Sequence, residues 1–387
     1  MKKNVLALSI ATLIGGLGFA GAASAALSVS ESGAGNILLV PYYSAQEGNL
    51  SVFHLTNTDT TNGKAVKVRF RGAANSDDVL DFQVFMSPGD VWTGIVSKNP
   101  ETGLANLVTA DKTCTVPAIP SIAEGGQDFI TNRLTRSVWT DADKAKQTLE
   151  GYVEILAMAD IPSNDGKGLK GPNGKNGLFN TIKHQDGEAA CATAVLNATT
   201  ELRRSAAGGW DTATDSYHLT VEGSAKNAAA DLVRTTGGLT GQWYIMNLEQ
   251  NTTFSGVMTA ITANTPVNNV FSPQLEEAAE LATADPLMNA RPKAKIAAQM
   301  YDVPDLSTPY EIATGDPTLV ADAAKQAKEL TDTILRTAVI NQYATDVELD
   351  AKTDWVFSMP TRRYAIAANY AAASTATVAN TADAAKA

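Results

Sequence analysis

Closely spaced carboxylates are the residues of this chain whose chemistry is easiest to name. They form three groups: Asp77 with Asp78 and Asp81, Asp141 with Asp143, and Asp211 with Asp215. Carboxylate oxygens are the ligands that Ca²⁺ prefers, so these groups are the candidate calcium sites. None of them matches the twelve-residue calcium loop, and each also fits a helix cap, a turn or a solvated face.

The two cysteines, Cys114 and Cys191, are the other residues with a clear chemical reading. In an oxidising compartment a single pair of cysteines predicts one disulfide bond. Two buried, unpaired thiols are the alternative. The choice therefore depends on where the protein is located.

Sequence motifs for catalysis are weak in this chain. Residues 166–171 match G-x-G-x-x-G, but Pro172 follows at once, whereas a dinucleotide site needs a helix there. The three histidines, His54, His184 and His218, are far apart, and neither G-x-S-x-G nor H-E-x-x-H occurs. We predict a protein that is not an enzyme and has no organic cofactor, with a triad assembled in space as the open alternative.

The first residues of the chain have the pattern of an export signal. Lys2 and Lys3 precede an apolar run, and Ala23-Ser24-Ala25 is a small-residue cleavage site. We expect cleavage between Ala25 and Ala26. A transmembrane anchor fits less well because the run is short, and no later stretch is long enough for a membrane-spanning helix. The pattern predicts an exported mature protein with no transmembrane segment.

The charge balance narrows the range of partners. The formal net charge is −11 at pH 7, and loss of Lys2 and Lys3 makes the mature chain more acidic still. Such a protein repels phosphate backbones, which argues against nucleic acid as a partner. An acidic surface can meet another acidic surface through divalent cations, of which Ca²⁺ is the obvious candidate.

Short alternating runs in the first third of the mature chain predict strands. Residues 50–58 and 64–70 flank an Asn-Gly turn, and residues 79–86 and 90–96 flank Ser87-Pro88-Gly89. Both pairs have the pattern of a β-hairpin, with Val66 and Val68 facing inward and Lys67 and Arg69 facing outward. Further on, Thr140 is a predicted cap for a polar helix, and residues 152–159 form a strong strand pattern.

Strands at this spacing predict a mainly β fold, an antiparallel β-sandwich (Ig-like or jelly-roll-like) with helical insertions. We assign residues 1–25 to the signal peptide and residues 26–370 to one β-sandwich-based domain or two subdomains. Its helical insertion is expected near residues 270–345. Residues 371–387 are an Ala/Thr-rich segment with the composition of a mobile tail.

Several ordered sequence blocks resemble a family of exported proteins of Gram-negative bacteria. The blocks lie at residues 36–43, 55–58, 64–70, 86–93, 151–155 and 353–364. The chain is similar to the surface-layer proteins of β-proteobacteria, including those that cover outer-membrane vesicles in tubes called nanopods. Longer relatives continue beyond the Arg362-Arg363-Tyr364 block, so the resemblance says nothing of their C-terminal functions here.

The resemblance implies a structural protein that assembles with copies of itself into a lattice or tubular sheath. Its expected location is the cell surface or the extracellular side of the outer membrane. Because no membrane anchor is predicted, attachment would be non-covalent, to lipopolysaccharide through divalent cations such as Ca²⁺. The alternative is a soluble periplasmic or secreted module that binds a discrete ligand.

Overall fold

A computed structural model describes the β-rich part of the chain and several shorter segments. It covers residues 27–73, 76, 78–131, 134, 139–163, 177–200, 210–211, 216–218, 230–233, 235–263, 301–302, 330–340, 355–358, 366–369 and 378–380. The predicted signal peptide and its Ala25–Ala26 cleavage site lie outside these residues, as does most of the predicted insertion at 270–345.

Strands are the main elements of the described chain. The first eleven are β1 (Leu27–Val29), β2 (Ile37–Ser44), β3 (Asn49–Asn57), β4 (Gly63–Gly72), β5 (Asp78–Met86), β6 (Val91–Lys98), β7 (Ala105–Val108), β8 (Cys114–Val116), β9 (Gln127–Asp128), β10 (Glu150–Ile161) and β11 (His184–Gln185). The others are β12 (Glu188–Ala189), β13 (Trp210–Asp211), β14 (Ser216–His218), β15 (Ala230–Val233), β16 (Leu239–Asn247), β17 (Thr252–Val257), β18 (Thr259–Ala263), β19 (Tyr301–Asp302), β20 (Ile366–Asn369) and β21 (Val378–Asn380). The helices are α1 (Asp141–Thr148), α2 (Gly177–Ile182) and α3 (Thr193–Thr200), with a 3₁₀ turn at Ile122–Glu124 and a described helical turn at residues 330–334.

Two antiparallel sheets share one apolar core, which confirms the predicted mainly β, sandwich-like fold. In the ten-stranded sheet, β1, β18, β2 and β10 are neighbours in that order, and β15, β14 and β13 follow β10. β10 also pairs with β4, which is followed in turn by β5 and β8. The second sheet has the order β17-β16-β3-β6-β7-β9. Core side chains come from both sheets, including Phe53 and Trp92 from one and Val66 and Phe70 from the other.

Aromatic rings fill the centre of this core. The Phe70 ring lies 5.4 Å from Tyr43, 5.5 Å from Phe53 and 5.0 Å from Phe129, measured between ring centroids. Such edge and tilted contacts add to the stabilisation that comes from burying the apolar area. They join strands of both sheets to the segment after β9.

The two predicted hairpins are wrong in their pairing, although their strands are present. β3 pairs with β6 and β16, whereas β4 pairs with β5 and β10, so the turn between β3 and β4 crosses from one sheet to the other. β5 and β6, on either side of Ser87-Pro88-Gly89, also belong to different sheets: β5 pairs with β4 and β8, and β6 pairs with β3 and β7. A period-two pattern determines which side chains face the core and leaves open which strand is the neighbour.

Helical segments cover parts of the outer face of the ten-stranded sheet. Leu178 and Ile182 of α2 and Leu196 of α3 pack on Phe85 and Ile161, while the helical residues 330–334 place Leu330 against a separate apolar cluster. The predicted polar helix is confirmed as α1. Within the described residues, no helix is both long and apolar enough to cross a bilayer.

The C-terminal segments form a small sheet of their own. β20 pairs with both β19 and β21. β21 lies inside residues 371–387, the segment with the composition of a tail. Residues 355–358 are described without strand pairing.

Candidate functional site

The predicted disulfide is confirmed. Cys114 in β8 and Cys191, just before α3, are bonded across 77 residues. Cys114 is buried in the apolar cluster that contains Phe85 and Leu178. The bond therefore fastens the loop between α2 and α3 to the β8 edge of the ten-stranded sheet.

The candidate calcium carboxylates are dispersed in the structure. Asp78 and Asp81 are buried on the outer face of the ten-stranded sheet, while Asp143 sits at the start of α1. Asp77 and Asp215 lie outside the described residues, and Asp211 is described only as part of β13. In the part of the chain that the structure describes, no three His, Cys, Asp or Glu side chains are grouped so as to hold a metal.

Asp141 and Asp143 stabilise a helix terminus. The carboxylate of Asp143 accepts hydrogen bonds from the Thr140 hydroxyl at 2.7 Å and from the Thr140 backbone N–H at 3.0 Å. These two hydrogen bonds, led by that of the hydroxyl, lower the pKa of Asp143. Both carboxylates also lie near the positive end of the helix dipole, so their position is explained without a metal.

Asp78 and Asp81 belong to a buried charged layer on β4, β5 and β10. Its members are Lys67, Arg69, Arg71, Asp78, Asp81 and Glu154, and each is at most 3% exposed. Lys67 and Arg69 do point away from the sandwich core, as predicted, but they are buried rather than solvated. Cations and anions in the layer are equal in number, which limits the cost of burying each charge.

Distances within this layer show how its charges are arranged. Glu154 Oε2 lies 3.2 Å from Arg71 Nε and 3.7 Å from Arg69 Nη1. Asp78 Oδ2 lies 3.5 Å from Arg69 Nε, and Asp81 Oδ1 lies 3.9 Å from Lys67 Nζ. Asp78 and Asp81 thus already face protein cations, and a Ca²⁺ ion would have to compete with them.

A second charged group, the lysine cluster, consists of Lys64, Asp59, Asp160 and Thr236. Lys64 and Asp160 are buried, Asp59 is partly buried and Thr236 is exposed. Lys64 Nζ donates hydrogen bonds to Asp160 Oδ1 at 2.6 Å, Asp59 Oδ2 at 3.0 Å and Thr236 Oγ1 at 2.8 Å. The Thr236 hydroxyl and backbone N–H donate to Asp160 Oδ2 at 2.6 and 3.2 Å. Nothing in the sequence pattern pointed to this group, because its members are up to 177 positions apart in the chain.

The structure also brings Ser87, Asp90 and His184 together. Ser87 Oγ and Asp90 Oδ2 lie 3.4 and 3.5 Å from the same imidazole nitrogen, His184 Nδ1. A catalytic triad uses the two ring nitrogens separately, one for the nucleophile and one for the carboxylate. These three residues therefore do not have the geometry of a triad.

An exposed sheet edge is a prominent surface feature of the described part of the chain. β17 pairs with β16, and no second partner strand is found among the described residues. Phe254 and Val257 on β17 are 63% and 74% exposed, and Leu248 in the turn before it is 69% exposed. β17 contains neither a charged residue nor a proline, which are the usual means of protecting an edge strand.

The pairing of β17 with β16 is itself well supported. Trp243 lies opposite Gly256, and a Cβ at Gly256 would come within 2.8 Å of the Trp243 ring. Covering a glycine with a cross-strand aromatic ring is a known way to fix strand register. β17 is thus an ordered edge with a defined register.

Other exposed apolar residues lie in the C-terminal part of the described chain. Trp355 and Phe357 are 47% and 76% exposed, and their rings stack at 5.9 Å with an interplanar angle of 16°. Val339 and Ile340 are 66% and 91% exposed. Exposed apolar surface of this kind is typical of interaction sites.

Comparisons with protein-family models, curated proteins and solved structures found no match to this chain. The resemblance to surface-layer proteins therefore stays a prediction from the sequence blocks.

Proposed function

We propose that this protein is a structural surface-layer protein that assembles with copies of itself into a lattice or tubular sheath on the outer membrane or its vesicles. The observation that carries the proposal is the exposed, unprotected edge of β17. An edge strand with free backbone groups and outward apolar side chains is a template for pairing with another chain.

A second copy of the chain is the proposed occupant of this edge. Two β17 strands can pair antiparallel about a two-fold axis, which would join two six-stranded sheets into one. Phe254 and Val257 lie on opposite faces of the sheet, and each would then lie beside side chains of the second copy. One such contact gives only a dimer, so a lattice needs a second contact, for which the surface around Trp355 and Phe357 is the candidate.

Attachment and location are further parts of the proposal. The acidic chain, with its net charge of −11, would be held to anionic lipopolysaccharide by Ca²⁺ outside the outer membrane. Asp141 and Asp143 are the described candidate carboxylates that lie at the surface.

The test is assembly of the mature protein, residues 26–387, followed by sedimentation and negative-stain electron microscopy. We expect sheets or tubes with Ca²⁺ that disperse when the ion is chelated. Phe254→Lys should raise the protein concentration needed for assembly roughly tenfold, which corresponds to about 1.4 kcal/mol per contact.

The matched control is Ile122→Lys, which places the same charge at another exposed apolar residue, 60% exposed and away from the β17 edge. This variant should assemble like the wild type. Uniform single particles of the wild type at every concentration, with and without Ca²⁺, would contradict the proposal. That outcome would favour the ligand-binding alternative.

A further inference from the structure

We propose that Lys64 and Asp160 form an intramolecular isopeptide bond, which cross-links β4 to β10. The two residues are directly opposite each other in the antiparallel ladder of these strands. Lys64 Nζ lies 2.6 Å from Asp160 Oδ1, and the side chains are 0% and 1% exposed. An amine and a carboxyl are thus held in contact and away from bulk water, which favours their condensation.

The reaction requires Lys64 as the amine and Asp160 as the carboxylic acid. Transfer of one proton along the Lys64–Asp160 hydrogen bond turns an ammonium and a carboxylate into an amine and a carboxylic acid. A buried site disfavours separate charges. Consistent with this, desolvation is the main cause that raises the pKa of Asp160.

Thr236 supplies hydrogen bonds where negative charge develops. When the Lys64 nitrogen attacks Asp160 Cγ, one carboxyl oxygen becomes an oxyanion. Asp160 Oδ2 already accepts hydrogen bonds from the Thr236 hydroxyl at 2.6 Å and from its backbone N–H at 3.2 Å. Two preplaced donors on one oxygen are the arrangement that stabilises a tetrahedral intermediate.

Asp59 is the group that can move the proton. Its Oδ2 lies 3.0 Å from Lys64 Nζ. Partial burial alone would raise the pKa of Asp59. Hydrogen bonds from the backbone N–H groups of Asn62 and Thr61 outweigh this effect and hold the pKa well below its usual range. It is therefore ionised and can accept a proton from the nitrogen of the intermediate, which is much more acidic than a lysine ammonium.

The reaction balances without any other reactant. The C–N bond forms between Lys64 Nζ and Asp160 Cγ, and the nitrogen gives up a proton to Asp59. That proton then passes to Asp160 Oδ1, which leaves as water when the C–O bond breaks. The products are one amide and one water molecule, and no oxidant or reductant is needed. This inference does not depend on the proposed assembly.

The test is the intact mass of the purified mature protein after reduction and denaturation, with the N-terminus established by sequencing. We expect a mass lower by one water molecule than the sequence requires. Proteolysis should give one branched peptide that contains both Lys64 and Asp160. A folded wild-type protein that keeps the full mass after incubation at neutral pH for several days would overturn the proposal.

Two variants separate the chemistry from the packing. Lys64→Arg keeps a cation beside Asp160 but removes the amine, and it should have the full mass. Asp59→Asn keeps the shape of the proton acceptor and should slow bond formation roughly 100-fold, a typical contribution of a general base. Equal rates in Asp59→Asn and the wild type would remove Asp59 from the mechanism.

Discussion

Glu154 of β10 lies with its Oε2 atom 3.2 Å from Nε of Arg71 on the neighbouring strand β4, and both side chains are almost completely buried. This contact belongs to the charged layer on β4, β5 and β10. A charge buried at such depth is tolerated only while an opposite charge faces it. The layer therefore makes the stability of the ten-stranded sheet dependent on individual carboxylates.

Replacing that carboxylate should destabilise the protein strongly. Glu154→Gln keeps the shape of the side chain but leaves Arg71 and Arg69 with less compensating charge, and we expect a loss of about 3–5 kcal/mol in the free energy of unfolding. Urea denaturation measures it. The control is Glu188→Gln, whose partner Lys112 is 3.9 Å away and whose side chain is 72% exposed; its cost should stay within about 1 kcal/mol. Equal effects of the two variants would contradict this account.

Local features of this fold could be predicted from the sequence. The core-facing residues Val66, Val68 and Phe70 follow from alternation within one strand, and the capping of α1 by Thr140 follows from a pattern of four residues. The disulfide was predicted from the pair of cysteines together with the export signal, because an oxidising compartment favours their bonding. In each case the prediction depends on a short segment of the sequence or on the number of cysteines.

Long-range relationships could not be predicted in this way. β4 pairs with β10, some ninety residues later in the chain, and the alternating pattern of β4 fits any neighbour. The burial of Lys67 and Arg69 depends on what covers the outer face of the sheet, which no local pattern specifies. The lysine cluster is likewise assembled from three separate segments, at residues 59–64, Asp160 and Thr236.

Tyr42 should respond to alkaline pH. Its hydroxyl donates to Glu150 Oε2 at 2.8 Å, and burial, followed by this hydrogen bond, raises its pKa from 10.0 to about 12. Because the folded state holds this proton more tightly than the unfolded state, the stabilising contribution is complete below pH 10.0 and is lost as the pH rises towards about 12.

Tyrosinate absorbance of the folded protein tests this directly. Tyr42→Phe should leave the absorbance change near pH 10 unchanged and reduce the change at higher pH. A variant that loses one tyrosine equivalent near pH 10 would show that Tyr42 titrates normally.

The disulfide should make a large contribution to stability. In the chain-entropy account, a bond that closes a 77-residue loop is worth about 4 kcal/mol, less any strain in the native state. Cys114→Ala with Cys191→Ala, compared with the wild type by urea unfolding, gives the value. Adding a reductant should destabilise the wild type to the level of the double variant and leave the double variant unaffected. A wild type that is insensitive to a reductant that breaks the bond would contradict the prediction.

Gly151, in β10, should not tolerate a side chain. A Cβ at this position would collide with the backbone oxygen of Arg71 on the paired strand and would lie 3.0 Å from the Tyr43 ring. Because the obstacle is backbone in the middle of a sheet, Gly151→Ala can be accommodated only by separating β10 from β4. We expect a loss of about 3 kcal/mol or more in the free energy of unfolding, as for an overpacked core site.

The control is Gly89→Ala, where nothing lies within 4 Å of the added Cβ and the positive φ of 70° alone should cost about 1–2 kcal/mol. If Gly151→Ala proved no more destabilising than Gly89→Ala, the close approach of β10 to β4 at this position would be wrong.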